Sequence, residues 1–304
     1  MNSFSQKVKA EAAGRITGRK KCDACLAGML LFSKELSADR VRFQTENSDV
    51  RDLFVRLCEH AASPGCAVCT ERKRSGIPPL YIVTLTGESV SLVFSRAGLS
   101  FREGERRSDF VPDFSEQQFG SFAAGVFLSC GSVVTPEKGY HLELVVPEKQ
   151  LCDDFSALLE DRLSVSGRIF SRGGSFVLYF KESGQVEDIL TLIGAQISSL
   201  ELMNVKIYKD VRNKANRATN CDTANVVRQN RSSERQLRAI EELKGRRGGL
   251  DSLPDELREL CELRLKYPEM SLSELKDLTD PPISRSGVNH RFERILRLAE
   301  EGLP

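Results

Sequence analysis

A run of side chains suited to contacting DNA lies near the end of the chain, between residues 284 and 297. Arg285 can form paired hydrogen bonds with guanine, Asn289 with adenine, and Ser286 with either base. The arginines that follow suit phosphate oxygens, because a guanidinium presents several N–H donors and a permanent charge. The candidate DNA contacts are Ser284, Arg285, Ser286, Asn289, His290, Arg291, Arg294 and Arg297.

Two other interpretations of this segment stay open. It can be the surface of a small helical bundle with ordinary charges, although its outward face carries no acid except Glu293. His290 can be a metal ligand or a catalytic base, but no second histidine and no acidic cluster lie near it in sequence. We expect His290 to contact a phosphate or a base, with plain solvent exposure as the alternative.

A second basic segment precedes this run. Residues 205–247 contain 12 basic and 5 acidic side chains, whereas the whole chain of 304 residues contains 44 and 43, a net charge of +1. Charge asymmetry of this kind favours a nucleic-acid partner, and a merely solvated basic surface is the alternative. Arg212, Lys214 and Arg217 are the residues of this segment that we expect to contact phosphates.

The nine cysteines include two pairs with the spacing of zinc ligands, Cys22/Cys25 and Cys66/Cys69. Cys25 begins an apolar, helix-like run, and a free cysteine is a common small core residue. We therefore expect reduced core thiols and no metal or other cofactor, with a zinc site as the alternative.

Helices must position the basic side chains. Ser271 and Glu274 have the spacing of a capping box at the start of a short helix. Ser284 is a suitable N-cap for a last helix, whose apolar residues repeat at helical spacing on one face. A short helix, a turn and a basic amphipathic helix form the layout of a helix-turn-helix. The apolar residues of the last helix are Val288, Phe292, Ile295, Leu296 and Ala299.

A weak internal repeat occupies the first two thirds of the chain. "ACLAGMLLFSKEL" at residues 24–36 resembles "SFAAGVFLSCGSV" at residues 121–133, and Gly28 aligns with Gly125. The small residues Ala27/Gly28 and Ala124/Gly125 would let two helices approach closely. A strand, a helix, a strand and a further helix are predicted after each run, which indicates two similar α+β halves.

These motifs resemble known families. The "LAGM" and "AAGV" runs look like degenerate LAGLIDADG motifs of homing endonucleases. With the helix-turn-helix, the chain resembles the WhiA family of transcription regulators of Gram-positive bacteria over residues 1–300. The most specific matches are "GVFLSCGSVVTPEKGYHLEL", "DVRNKANRATNCDTAN" and "PPISRSGVNHRFERI". The resemblance implies a role in sporulation, cell division and chromosome segregation.

The predicted fold class is α+β, and the domains follow from the repeat and the charge pattern. We expect a two-repeat LAGLIDADG-like N-terminal domain, a basic linker, and an all-α C-terminal helix-turn-helix domain that resembles sigma factor region four. The predicted boundaries are an N-terminal helix at 1–21 and the LAGLIDADG-like domain at 22–204, with repeats at about 22–100 and 120–200. A basic linker follows at 205–249, within which residues 223–244 form a polar helix. The helix-turn-helix domain occupies 250–304.

Catalysis is not expected. A LAGLIDADG nuclease places an acid at the foot of each motif helix, where two carboxylates hold divalent metal at the scissile phosphates. Those positions fall at Ser33 and Cys130, which are not hard anionic ligands. We therefore predict a sequence-specific DNA-binding regulator. The alternatives are a division- or nucleoid-associated protein that binds DNA without sequence preference and, less favoured, an active endonuclease.

The expected partners are double-stranded DNA and RNA polymerase or another transcription factor, and no membrane. No stretch approaches about 18 uninterrupted apolar residues, the length of a membrane-spanning helix. The first residues lack the apolar centre of a signal peptide. We therefore expect a cytoplasmic, nucleoid-associated protein.

Overall fold

The structure is a computed structural model that describes residues 3–99 and 114–301. It divides into two compact units, Met1–Lys209 and Asp210–Pro304. The long helix α8 (Gln196–Lys244) contributes residues to both units. Among the described residues, no helix is long and apolar enough to cross a membrane.

Besides the start of α8, the first unit contains a short helix, α1 (Phe4–Arg15), and two copies of one order of elements. The first copy comprises α2 (Arg19–Leu31), β1 (Glu35–Leu36), β2 (Arg40–Thr45), α3 (Ser48–Ala61), β3 (Val68–Arg74), β4 (Ile77–Thr86) and α4 (Glu88–Arg96). The second comprises α5 (Glu116–Cys130), β5 (Gly131–Val133), β6 (Leu142–Val146), α6 (Lys149–Leu163), β7 (Arg168–Arg172), β8 (Ser175–Phe180) and α7 (Ser183–Leu192). The two similar α+β halves predicted from the internal repeat are present.

Each copy forms one antiparallel four-stranded sheet. The strand orders are β1-β2-β4-β3 and β5-β6-β8-β7. In the first sheet Phe43 lies opposite Val83, and in the second Leu144 lies opposite Leu178. All four side chains are buried, because side chains alternate between the two faces of a strand and one face of each sheet packs on the core.

Helices α2 and α5 lie at the centre of the first unit. A Cβ atom built on Gly28 would stand 2.3 Å from the main-chain oxygen of Phe122, and one on Gly125 would stand 2.1 Å from that of Cys25. Only glycine allows two backbones to approach this closely. The predicted close packing of the two repeat helices through these glycines is confirmed.

Two helix boundaries differ from those expected. The helix expected at residues 1–21 ends at Arg15, and α2 begins at Arg19, because Gly18 adopts a φ of +83° that interrupts the helical backbone. The helix expected over residues 223–244 begins at Gln196. The Glu11 carboxylate caps this start by accepting hydrogen bonds from the main-chain N–H groups of Ile197 (2.7 Å) and Ser198 (3.0 Å).

The second unit packs the end of α8 with α9 (Asp255–Lys266), α10 (Leu272–Leu275) and α11 (Arg285–Glu301). Its apolar core includes Ile240 and Leu243 from α8, Leu257 and Leu260 from α9, and Phe292 from α11, each at most 1% exposed. The turn between α10 and α11 contains a cis peptide bond before Pro281. This unit supplies the rigid base for the last helix.

Candidate nucleic-acid interface

Helix α11 is fixed at its start and along its inner face. The Ser284 hydroxyl accepts a hydrogen bond from the Gly287 N–H (3.1 Å), which is the expected N-cap contact. Val288, Phe292, Ile295 and Ala299 are buried in the unit's core, and Leu296 is half-buried beside them. The periodicity prediction for this helix is therefore confirmed.

The capping box before α11 is also present. The Ser271 hydroxyl accepts from the Glu274 N–H (3.3 Å), and the Glu274 carboxylate accepts from the Ser271 N–H (2.7 Å). The hydrogen bonds to its carboxylate hold the pKa of Glu274 below its ordinary value. These two hydrogen bonds fix the start of α10, the short helix of the helix-turn-helix layout.

The candidate DNA contacts on α11 face outward with one exception. Ser284, Arg285, Ser286, Asn289, His290, Arg294 and Arg297 are exposed, and Arg291 is half-buried. The hydroxyls of Ser284 and Ser286 are hydrogen-bonded to each other at 2.9 Å. The Asn289 side-chain N–H donates to the Glu293 carboxylate at 3.0 Å. The amide that is expected to bind adenine is therefore hydrogen-bonded to Glu293, the one acid on this face.

The arginines of α11 fall into two groups. Arg291 and Arg294 both form ion pairs with Glu256 of α9, at 3.3 and 3.5 Å. Arg285 and Arg297 form no ion pair with any residue that the structure describes. Sequence reasoning missed Glu256, because it lies on a different helix and its only signal was a charge in the first turns of α9.

The basic residues expected in the linker lie on α8. Arg212, Lys214 and Arg217 are exposed, and within the described ranges none of them has an ion-pair partner. Their side chains are therefore available to a partner. The local backbone is helical, so the helix that was expected to begin at residue 223 also carries these three residues.

The feet of α2 and α5 form a second candidate site, where a nuclease would hold metal. Ser33 is buried and its hydroxyl donates to the Leu30 carbonyl at 2.8 Å, while the Cys130 thiol donates to the Val126 carbonyl at 3.3 Å. Burial raises the pKa of Cys130 to about 12, partly offset by Lys9. Burial also lowers the pKa of Lys9, against the opposite effects of Cys130 and Glu46.

This donor set does not fit a divalent metal. A hydroxyl, a neutral thiol and a lysine ammonium replace the two carboxylates that Mg²⁺ prefers. Glu46 is the single carboxylate among the described residues that line the adjoining cavity. No group of three or more histidine, cysteine, aspartate or glutamate side chains in the described ranges is placed to hold a metal.

The two cysteine pairs occupy different environments. Cys25 is buried and Cys22 half-buried on α2, while Cys66 is half-buried and Cys69 lies exposed on β3. Burial raises the pKa of both Cys22 and Cys25, which disfavours the thiolate that zinc requires.

Together, the fold and these two sites define a class of protein: a degenerate LAGLIDADG-like domain joined to a helix-turn-helix domain. Residues 119–212 match the family described as WhiA LAGLIDADG-like domain, and residues 215–299 match WhiA C-terminal HTH domain. The chain belongs to the WhiA family.

Relatives of similar length support this assignment. The chain is 41% identical to "Probable cell division protein WhiA" of Clostridium beijerinckii and 36% identical to the protein of the same name of Clostridium novyi, each match covering 98% of both chains. The crystal structure of full-length DUF199/WhiA from Thermotoga maritima matches with a TM-score of 0.61 and 25% identity, over 99% of both chains.

Proposed function

We propose that this protein is a sequence-specific DNA-binding regulator of transcription, and that α11 reads the bases. The observation that carries the proposal is the exposed N-terminal half of α11. It presents a guanidinium, a hydroxyl and an amide from Arg285, Ser286 and Asn289 on a helix fixed by a buried core. Those are the groups that distinguish base pairs in the major groove, where the second helix of a helix-turn-helix binds.

The remaining candidates contact phosphates in this proposal. Ser284, His290, Arg294 and Arg297 flank the base-reading residues and are exposed. Arg291 is half-buried against Glu256, so its main contribution is to hold α11 on α9. Arg212, Lys214 and Arg217 of α8 add sequence-independent affinity, because neutralising phosphates releases counterions from DNA.

The LAGLIDADG-like domain is a scaffold in this proposal and not a nuclease. This part of the proposal is supported by Ser33, Cys130 and Lys9, because these side chains do not supply the paired carboxylates needed for two-metal hydrolysis. In this proposal the regulator acts in cell division, which the names of its relatives support, and also in sporulation and chromosome segregation. It works in the cytoplasm on the nucleoid, together with RNA polymerase or another transcription factor.

The test is selection of duplexes from a random library with the full chain, followed by competition between the selected duplex and a scrambled one. We expect the selected duplex to bind about 10³-fold or more tightly, as specific sites do over non-specific DNA. Asn289→Ala should lose about 1–3 kcal/mol on the selected duplex and little on the scrambled one.

Arg238→Ala is the matched control. Arg238 is exposed on α8 and pairs only loosely with Glu234, at 3.9 Å. This variant should weaken both duplexes slightly and equally. Equal losses for Asn289→Ala on both duplexes would contradict base reading.

A second function is favoured by one observation. The exposed cations Arg212, Lys214 and Arg217 suit binding without sequence preference, as in a nucleoid-associated protein. That function predicts no enriched motif after selection, and equal affinity for selected and scrambled duplexes.

A further inference from the structure

A cationic cavity of about 450 Å³ lies within the second unit, beside the start of α11. Four helices line it, and α9 contributes Arg264. α8 contributes Asn225 and Arg228, the start of α10 contributes Ser271 and Ser273, and α11 contributes its first residue, Arg285. None of the described residues that line this cavity carries a carboxylate.

Arg264 adds a buried positive charge at the same cavity. It is 2% exposed, and its guanidinium donates to Gln236 Oε1 (3.0 Å) and to the main-chain carbonyl of Met270 (2.6 Å). Its hydrogen-bond acceptors among the described residues are all neutral, and burial lowers its pKa. An uncompensated buried charge favours an anion in the adjoining space.

Arg228 and Arg285 have no ion pair with any described residue. Other arginines of the unit do: Arg235 pairs with Glu300 at 3.2 Å, and Arg246 with Glu242 at 2.7 Å. Arg228 and Arg285 thus bring two guanidiniums without ion pairs to a cavity whose described lining carries no acid. A tetrahedral oxyanion is the ligand class that two guanidiniums and serine hydroxyls recognise.

We infer that this cavity holds one backbone phosphate of the bound DNA, with Arg228 of α8 and Ser273 as donors. The inference rests on the proposed function, because Arg285 borders both the cavity and the base-reading face of α11. A phosphate held here fixes the register of α11 on the duplex, as backbone contacts do. The long helix is thereby part of the DNA interface.

The experiment uses the full chain and the selected duplex, with binding measured by fluorescence anisotropy over a range of salt concentrations. Arg228→Gln is compared with Arg238→Gln, which removes the same charge from the same helix outside the cavity. We expect Arg228→Gln to bind roughly tenfold more weakly at low salt. The slope of log Kd against log salt should also fall by about one unit, and Arg228→Lys should restore part of both.

A second measurement locates the phosphate. Duplexes carrying a single neutral methylphosphonate are scanned along both strands against wild type and Arg228→Gln. We expect one position where the substitution weakens wild-type binding but has little further effect on the variant. Binding by Arg228→Gln that equals that of Arg238→Gln, or methylphosphonate effects that are the same in both proteins, would overturn the inference while the proposed function stands.

Free phosphate is distinguished by a separate measurement without DNA. Inorganic phosphate should bind no better to the DNA-free wild type than to Arg228→Gln in calorimetric titrations. Phosphate binding that depends on Arg228 in the absence of DNA would overturn the assignment to DNA. A wild-type chain that prefers no duplex would overturn both the inference and the proposed function.

Discussion

Gly125 at the crossing of α2 and α5 is the most severe steric constraint in the first unit. Replacing it with alanine adds a single methyl group, which would lie 2.1 Å from the Cys25 carbonyl oxygen and 3.0 Å from the Met29 nitrogen. Ordinary van der Waals contact begins at 3.4 Å, so the two backbones must separate by about 1.3 Å at this point. No side-chain rotation can relieve a clash with main-chain atoms.

The expected cost of Gly125→Ala follows from this geometry. Overpacking costs about 1–3 kcal/mol where neighbours can adjust, and a backbone-to-backbone clash belongs at the upper end. A loss of about 3 kcal/mol corresponds to a fall in melting temperature of roughly 6–12 °C for a unit of this size. Thermal melting followed by circular dichroism measures it, and hydrogen exchange of α2 and α5 peptides assigns the change to the crossing.

Gly14→Ala is the matched control. Gly14 lies in α1, and a Cβ built on it meets nothing within 4 Å. That variant should melt at or slightly above the parent temperature, because alanine favours a helix over glycine by up to about 1 kcal/mol. A Gly125→Ala protein that melts with the parent, with unchanged exchange in α2 and α5, would refute the close-crossing argument.

Three further predictions concern other parts of the molecule. Arg264→Met should destabilise the second unit by about 3 kcal/mol, because the Met270 carbonyl and the Gln236 amide lose a charged donor. Denaturation curves of this variant and of Arg238→Met measure the difference in stability, and equal stability of the two variants would contradict the prediction. A charged thiol reagent at pH 8 should modify the exposed Cys69 and Cys221 first. It should spare Cys130 and Cys261, because burial raises the pKa of each to about 12. Mass spectrometry gives the order of modification, and early modification of Cys130 would contradict the prediction. The full chain should not nick supercoiled plasmid with Mg²⁺ or Mn²⁺, and Ser33→Ala should leave DNA binding unchanged; nicking that Ser33→Ala abolishes would contradict the non-enzyme proposal.

Sequence patterns predicted the elements that have strong apolar periodicity. The inner strands β2, β4, β6 and β8 alternate or carry long apolar runs, and α11 repeats at helical spacing. The strands β3 and β7 escaped prediction because both lie at sheet edges and expose most of their side chains, including Cys69 to Arg72. Without a buried face, a strand leaves no alternation to read.

The candidate DNA contacts also divide into features that apolar periodicity predicts and features that it does not. Exposure of Arg285 and Asn289 followed from the periodicity of α11 alone. The pairing of Arg291 and Arg294 with Glu256, and the cavity shared by Arg228 and Arg285, depend on contacts between helices that are distant in sequence. The helix expected over residues 223–244 begins earlier, at Gln196, because residues 196–244 contain no glycine or proline to interrupt it.

We propose above all that α11 directs this protein to particular DNA sequences. Chromatin immunoprecipitation with sequencing, on cells that carry either the wild type or the double variant Arg285→Ala/Asn289→Ala, tests it most directly. We predict discrete wild-type peaks that share one motif and that the double variant loses, although the variant is expressed at the parental level. Uniform coverage by the wild type, or the same peaks for both proteins, would contradict the claim.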